Sequence, residues 1–475
     1  MIINFAPGDL KKEGSFYDLP VAIGILAASG IVPDDRLDGF LFLGELGLDG
    51  TLRPGPGALS AAVLARDAGL RGVVVPRSSL DEARLVPEIE VLAPIDLRHA
   101  ARLFGADGVE ESQSAPHRIT GAYVSDDLSE SRTRRPASNT ERPDFSDVKG
   151  QEASKEALVV AAAGGHNLLL IGPPGSGKTM LATRLPTILP DLAIGDALDV
   201  SRIHSFRRHG LRDLITRPPF RAPHHTISYA GLVGGGQIPS PGEISLAHKG
   251  ILFLDELPEF GRHTLETLRQ PMEDGVVTIS RAAGREILPA RISLVASMNP
   301  CPCGFHGDSR CQCICTPRQI QRYMNRISGP ILDRLDMHIE VPPVPYAVLQ
   351  AGACGLDSDR MTRKVAAARK KQAARYGSPP AQRRGASGGT PGAAVQLNAH
   401  MHPGEIDRFC ILCAEARTFL ESHMKEFPMS ARGYTRILKV ARTLADLDET
   451  EKIEPSHVER AVMFRSLDRQ IIQPV

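Results

Sequence analysis

The residues Gly172, Pro173, Pro174, Gly175, Ser176, Gly177, Lys178, Thr179 and Met180 follow an apolar run from Leu168 to Ile171. A loop that wraps a triphosphate must turn its backbone N–H groups inward. Glycines at 172, 175 and 177 permit that backbone and its close approach to the anion. In this spacing Lys178 reaches the β- and γ-phosphates and Thr179 puts its hydroxyl on Mg2+. The helix that follows aims its N-terminus at the negative charge. The bland alternative is a chance glycine loop before a helix; the strand before it and the helical pattern after it favour a nucleotide such as ATP.

Two further apolar runs end in residues suited to the same ligand. Gly250 to Leu257, GILFLDEL, ends its apolar part at Asp255 and Glu256. An aspartate at such a strand end holds Mg2+, and the adjacent glutamate can act as general base on the attacking water. Alone this match is weak; beside Lys178 and Thr179 it becomes specific. The run ISLVASMNP ends at Asn299, which could hold the lytic water against the γ-phosphate. Directly after it, Cys301, Cys303, Cys311, Cys313 and Cys315 hold five of the chain's eight cysteines. Two C-x-C pairs, Cys301/Cys303 and Cys313/Cys315, can close a tetrahedral Zn2+ site. Reduced thiols or a redox switch are the alternatives, and His306 is a possible substitute ligand. Cys354, Cys410 and Cys413 read as helix-packing residues.

These sites must be positioned by a chain of 475 residues with a net charge of +1, long enough for two to four domains. The charge gives no whole-chain argument for nucleic acid. No apolar run approaches the roughly 18 residues that span a bilayer, and the N-terminus lacks a signal-peptide pattern, so a cytoplasmic protein is expected. Composition divides it. Residues 1–108 alternate apolar runs with glycine-rich turns, as in an α/β or α+β domain. Residues 109–143 are polar and read as a flexible linker. Residues 144–346 alternate strands with helical patterns and contain every motif above. Residues 347–394 form a basic helix and linker, with eight Lys or Arg and no Asp or Glu between Met361 and Ala386. Residues 395–475 are helical by period: Tyr434, Ile437, Leu438, Ala441, Leu444 and Ala445 share a face, with Ser430 as N-cap. VVTISRAAGREILPARI reads as a β-hairpin with Arg281 and Arg285 beside its tip.

The long stretches RAPHHTISYAGLVGGGQIPSPGEISLAHKGILFLDELPEF, VTISRAAGREILPARISLVASMNPCPCG and MSARGYTRILKVARTLADL resemble the YifB/ComM family of magnesium-chelatase-like AAA+ ATPases over nearly the whole chain. The resemblance implies an α/β AAA+ P-loop NTPase module with a helical lid, preceded by a Lon-protease-like, ribosomal-protein-S5-like α+β domain. Met1 would fall inside that domain, truncating it. Asp18 stands where a Lon-type nucleophile aligns, so no peptidase activity is expected.

The resemblance also assigns roles. Lys178 and Thr179 become the Walker A pair, Asp255 and Glu256 the Walker B pair, and Asn299 sensor 1. Arg334 becomes an arginine finger reaching a neighbouring subunit, and Arg432 a sensor 2 on the γ-phosphate of its own subunit. Cys301 and Cys303 match the family's first pair, Cys313 and Cys315 its second; Cys311 looks like an addition. A homo-oligomeric ring, usually a hexamer, follows. Part of the excess between Lys178 and Asp255 would be an insert in helix 2.

Three functions compete: an ATP-driven DNA motor for branch migration during natural transformation, a chelatase-type motor for metal insertion into a tetrapyrrole, and an ATP-switched chaperone or interaction protein. The cysteine cluster and the N-terminal domain favour the first. Its candidate phosphate contacts are Arg281, Arg285, Arg363, Lys364, Arg369, Lys370 and Lys371, for which solvated surface charge is the alternative. The D-x-S-x-S match at Asp127 to Ser131 is discounted, because it lies in the polar linker.

Overall fold

A computed structural model describes residues 14–106, 118–120, 143–206, 211–235, 240–281, 284–308, 310–350, 356–377, 396–427 and 429–465, with residues 3 and 467. Two sheets organise them. The first joins β1 (Phe40–Phe42), β2 (Gly72–Val74), β3 (Glu90–Leu92) and β4 (Arg118–Thr120) in that order. The first three are mutually parallel and β4 is antiparallel to β3. Helices α1 (Asp18–Ala28), through Leu19 and Ile23, and α2 (Ala58–Asp67), through an alanine-rich face, pack against this sheet. The strand β4 corrects the reading of 109–143 as linker throughout. The β-branched pair in Arg118–Thr120 adds a strand to the sheet edge despite its polar flanks. The remainder of 109–142, with the D-x-S-x-S match, lies outside the described residues, as does Cys354.

The second sheet is wholly parallel. Its strands are β5 (Leu168–Ile171), β6 (Phe220–Arg221), β7 (Ile251–Leu254), β10 (Ser293–Met298) and β11 (Met337–Glu340), in the spatial order β11-β5-β10-β7-β6. Its runs are apolar at nearly every position because both faces are covered. Leu168, Leu170, Phe253 and Val295 face one core, while Leu169, Ile171, Leu252 and Leu294 face the other. Between β7 and β10 stands the expected hairpin, β8 (Val276–Arg281) paired with β9 (Gly284–Pro289). Arg281 pairs with Gly284 and Arg285 with Ser280 on its last rungs; the side chains of both arginines lie outside the described residues.

The first of those cores is closed by helices. These are α3 (Glu152–Gly164), α4 (Lys178–Arg184), α7 (Ser358–Tyr376), α8 (Ala431–Leu447) and α9 (Pro455–Met463). Between α4 and α7 lie α5 (Ile194–Ser205) and α6 (Pro317–Met324). Ser430 caps α8, accepting from the Gly433 N–H at 3.1 Å. Within the basic run, Met361, Val365 and Ala368 are buried at helical spacing, so α7 packs into the core. Arg369 is not free for phosphate. Its Nε and Nη2 donate to the Ala162 carbonyl at 3.1 and 2.7 Å, supplying a donor that the end of α3 lacks within its own helix. Arg363, Lys364 and Lys370 stay exposed and Lys371 is half-buried. The N-terminal body rests on α5, whose Leu198 is buried in the same cluster as Leu59, Val73 and Val91.

Candidate nucleotide site

The carboxyl ends of β5, β7 and β10 bring the motif residues together. After β5 the chain turns through Gly175 and Gly177, at φ 73° and 93°, a left-handed backbone that side chains disfavour. Lys178 then opens α4 and folds back over the loop. Its buried ammonium donates to the carbonyls of Gly172 and Pro173 at 2.7 and 2.9 Å and to Asn299 Oδ1 at 3.2 Å. Burial holds its pKa below the ordinary lysine value, while Asp255 and Glu256 pull the other way. The ammonium is thus fixed over the glycine loop by two of the loop's own carbonyls.

Thr179 donates to Asp255 Oδ2 at 2.8 Å, so the two Mg2+ candidates already touch. Glu256 is exposed, and its backbone is left-handed at φ 54°. Its N–H is held by Asp255 Oδ1 and Ser297 Oγ, each at 3.2 Å, and the Ser297 hydroxyl also bonds Asp255. Met180 is 45% exposed, on the solvent side of α4. Three neighbours were not anticipated. Ser297 joins the two acids, and its signal was available as a lone hydroxyl near the end of an apolar strand. His225 sets Nδ1 3.9 Å from Glu256 Oε2. Tyr323, on α6, is buried near the Asn299 backbone, and that burial pushes its phenol up to about 12.

The two arginines stand elsewhere. The Arg334 carbonyl accepts from Asn167 Nδ2 at 3.4 Å, just before β5 begins. That is the amino edge of the sheet, a strand length of about 13 Å from the phosphate loop. Arg334 is 8% exposed, with Nη2 2.5 Å from Glu273 Oε1 and Nη1 donating to the Pro330 carbonyl at 2.6 Å. Arg432 has Nη2 3.8 Å from the same Glu273 oxygen and Nη1 4.0 Å from Asp333. Arg432 thus stands beside Arg334, on the same glutamate. Arg436, four residues on, pairs with Asp336 beside Asn167, so the first turn of α8 opens at the amino edge.

Four sulfurs gather beside the loop. Those of Cys301, Cys303, Cys313 and Cys315 all lie within 4.8 Å of one another. Cys301 to Cys303 is 3.3 Å, Cys301 to Cys313 3.7 Å and Cys303 to Cys313 3.6 Å. A tetrahedron of Zn–S bonds of about 2.3 Å has an edge near 3.8 Å, whereas a disulfide brings two sulfurs to about 2.05 Å. The spacing fits four thiolates about one ion. Backbone N–H groups of Phe305 and Ile314 hydrogen-bond the Cys303 sulfur and draw its thiol down to about 6. Cys311 is exposed and outside the four, as is His306. Cys410 is buried in the core, and Cys413 caps a helix by accepting from the Ala416 N–H.

Among the described residues no helix is long and apolar enough to cross a membrane. The chain matches the family described as magnesium chelatase, subunit ChlI, over residues 144–349. It matches that subunit's C-terminal family over 355–465, and a further ChlI family over 1–79. It is 41% identical to YifB of Escherichia coli over 99% of this chain and 86% of that one. Against the competence protein ComM of Haemophilus influenzae the identity is 40%, over 98% of this chain and 86% of that one. Lon protease 2 of Bacillus subtilis is 30% identical over 31% of this chain and 28% of its own length. With a P-loop module of this form and relatives of this coverage, the chain belongs to the YifB/ComM family of magnesium-chelatase-like AAA+ proteins.

Proposed function

We propose that the protein is an ATP-hydrolysing ring motor, a hexamer, that acts on DNA in branch migration and recombination during natural transformation. The observation that carries the ATPase reading is the gathering of Lys178, Thr179, Asp255, Glu256 and Asn299 at one sheet edge. The loop from Gly172 to Met180 binds the triphosphate. Thr179 and Asp255 would hold the Mg2+ that accompanies the nucleotide, which would supply positive charge against the phosphates. Glu256 takes the proton of the attacking water, and Asn299 orients that water. Arg334 and Arg432 lie at the opposite edge, so both serve the site of the next subunit, and the ring is part of the chemistry.

DNA is favoured by the hairpin carrying Arg281 and Arg285, by the exposed Arg363, Lys364 and Lys370, and by relatedness to a protein named for competence. Zn2+ is proposed as a structural ion on the four cysteines, and the cytoplasm as the site of action. The deciding experiment is the ATPase rate with and without single-stranded, duplex and forked DNA. Stimulation by one of them, lost on reversing Arg281 and Arg285 to Glu, is expected. No DNA binding and no stimulation would move the chelatase reading ahead.

A further inference from the structure

The cysteine cluster touches the nucleotide site at several independent points. On its first limb, Asn299 contacts Lys178, and Cys301 follows two residues later with its side chain fully buried. Gly304 then lies against the phosphate loop at φ 86°. A Cβ there would stand 2.5 Å from Pro174 Cδ and 2.7 Å from Cγ. The proline ring cannot rotate away, so the two loops are packed at the limit of contact. On the second limb, Cys315 leads into Thr316, which caps α6 in a reciprocal pair with Gln319. That helix returns Tyr323 to the Asn299 backbone. It also returns Arg326 to Glu259, at 2.7 Å, just beyond Glu256.

We propose that the cysteine knuckle is a positioning device for the nucleotide site, setting the wall of the phosphate loop through Gly304 and Pro174 and the angle of Asn299 through α6 and Tyr323. The proposal rests on the metal reading of the four cysteines. A closed cluster holds both limbs together, whereas an open one lets them part and releases two supports of the site at once. Gly304 and Tyr323 are positioning residues; neither touches substrate.

Four full-length proteins test this: wild type, Gly304→Ala, Tyr323→Phe and Cys313→Ser. For each, zinc is measured by elemental analysis, affinity with a fluorescent ATP analogue, and KM and kcat separately. Gly304→Ala should keep its zinc and lose about tenfold in analogue affinity and KM, the factor that about 1.4 kcal/mol of misplacement gives. Tyr323→Phe should keep zinc and affinity and lower kcat by about threefold, because only the Asn299 support is removed. Cys313→Ser should lose zinc and affinity together. Should Gly304→Ala and Cys313→Ser both bind the analogue as wild type does, the positioning role is overturned while the zinc reading stands. A zinc-free wild type overturns the metal reading instead. In that event Gly304→Ala and Tyr323→Phe alone judge the contact: weakened affinity in the first upholds it and wild-type affinity overturns it.

Discussion

The two edges of the parallel sheet are built on opposite plans. At the carboxyl edge a cation, two acids, a hydroxyl and an amide are in contact, each held by backbone or by another member: Lys178 on two carbonyls, Thr179 on Asp255, Glu256 on Ser297. At the amino edge two guanidinium groups share one glutamate, Glu273, with Arg334 also on the Pro330 carbonyl and Arg432 near Asp333. At the first edge Lys178 is the cation that folds over the glycine loop, whereas the second edge carries two arginines on one glutamate. On the proposed ring reading, each end of a subunit is a half-site that its neighbour completes.

Removing the distant half should therefore matter as much as removing the near one. Arg334→Ala should lower turnover by about 10³-fold and keep nucleotide binding. In mixtures with wild type it should poison more than its mole fraction, so a mixing curve that is strictly linear would break the contrast. Glu256→Gln should lose about 10²-fold in turnover or more with analogue affinity retained, since the base acts only in the chemical step. Ser297→Ala should cost roughly tenfold in turnover, because the Asp255 carboxylate and the Glu256 N–H lose a shared partner. Undiminished turnover there would mean that the carboxyl edge is less interlocked than its bonds suggest. Glu273→Gln should have the smallest effect, a rise of about twofold in basal ATPase. Its carboxylate is 46% exposed, and such pairs are weak. A fall in rate would show that Glu273 orients the arginines instead of restraining them.

The contrast also explains what could be read from the residues alone. The carboxyl edge is legible because each contributor ends an apolar run: Thr179 follows β5 through its glycine loop, Asp255 follows β7 and Asn299 follows β10. Local pattern and chemistry coincide there. Glu273, Arg334 and Arg432 come from three separate segments, and nothing local marks them as neighbours. The resemblance supplied roles for two of them, and where Arg432 stands depends on packing that sets the start of α8. The strand Arg118–Thr120 was hidden by polar flanks, and the packing of α7 was masked because its charges outnumber the three buried apolar positions that fix it. The Gly304 contact has no signal beyond a glycine after C-x-C, since the partner proline lies far back in the chain.

Leu198 gives the N-terminal body a different standing from an appended module. This side chain belongs to α5 of the nucleotide unit yet sits 2% exposed within the other body's core, with Leu211 and Leu214 packed at its margin. The seam between the two is thus apolar at this point, and separating the bodies would bare Leu198 to water. A displacement of α5 would be felt directly by the packing of the N-terminal body.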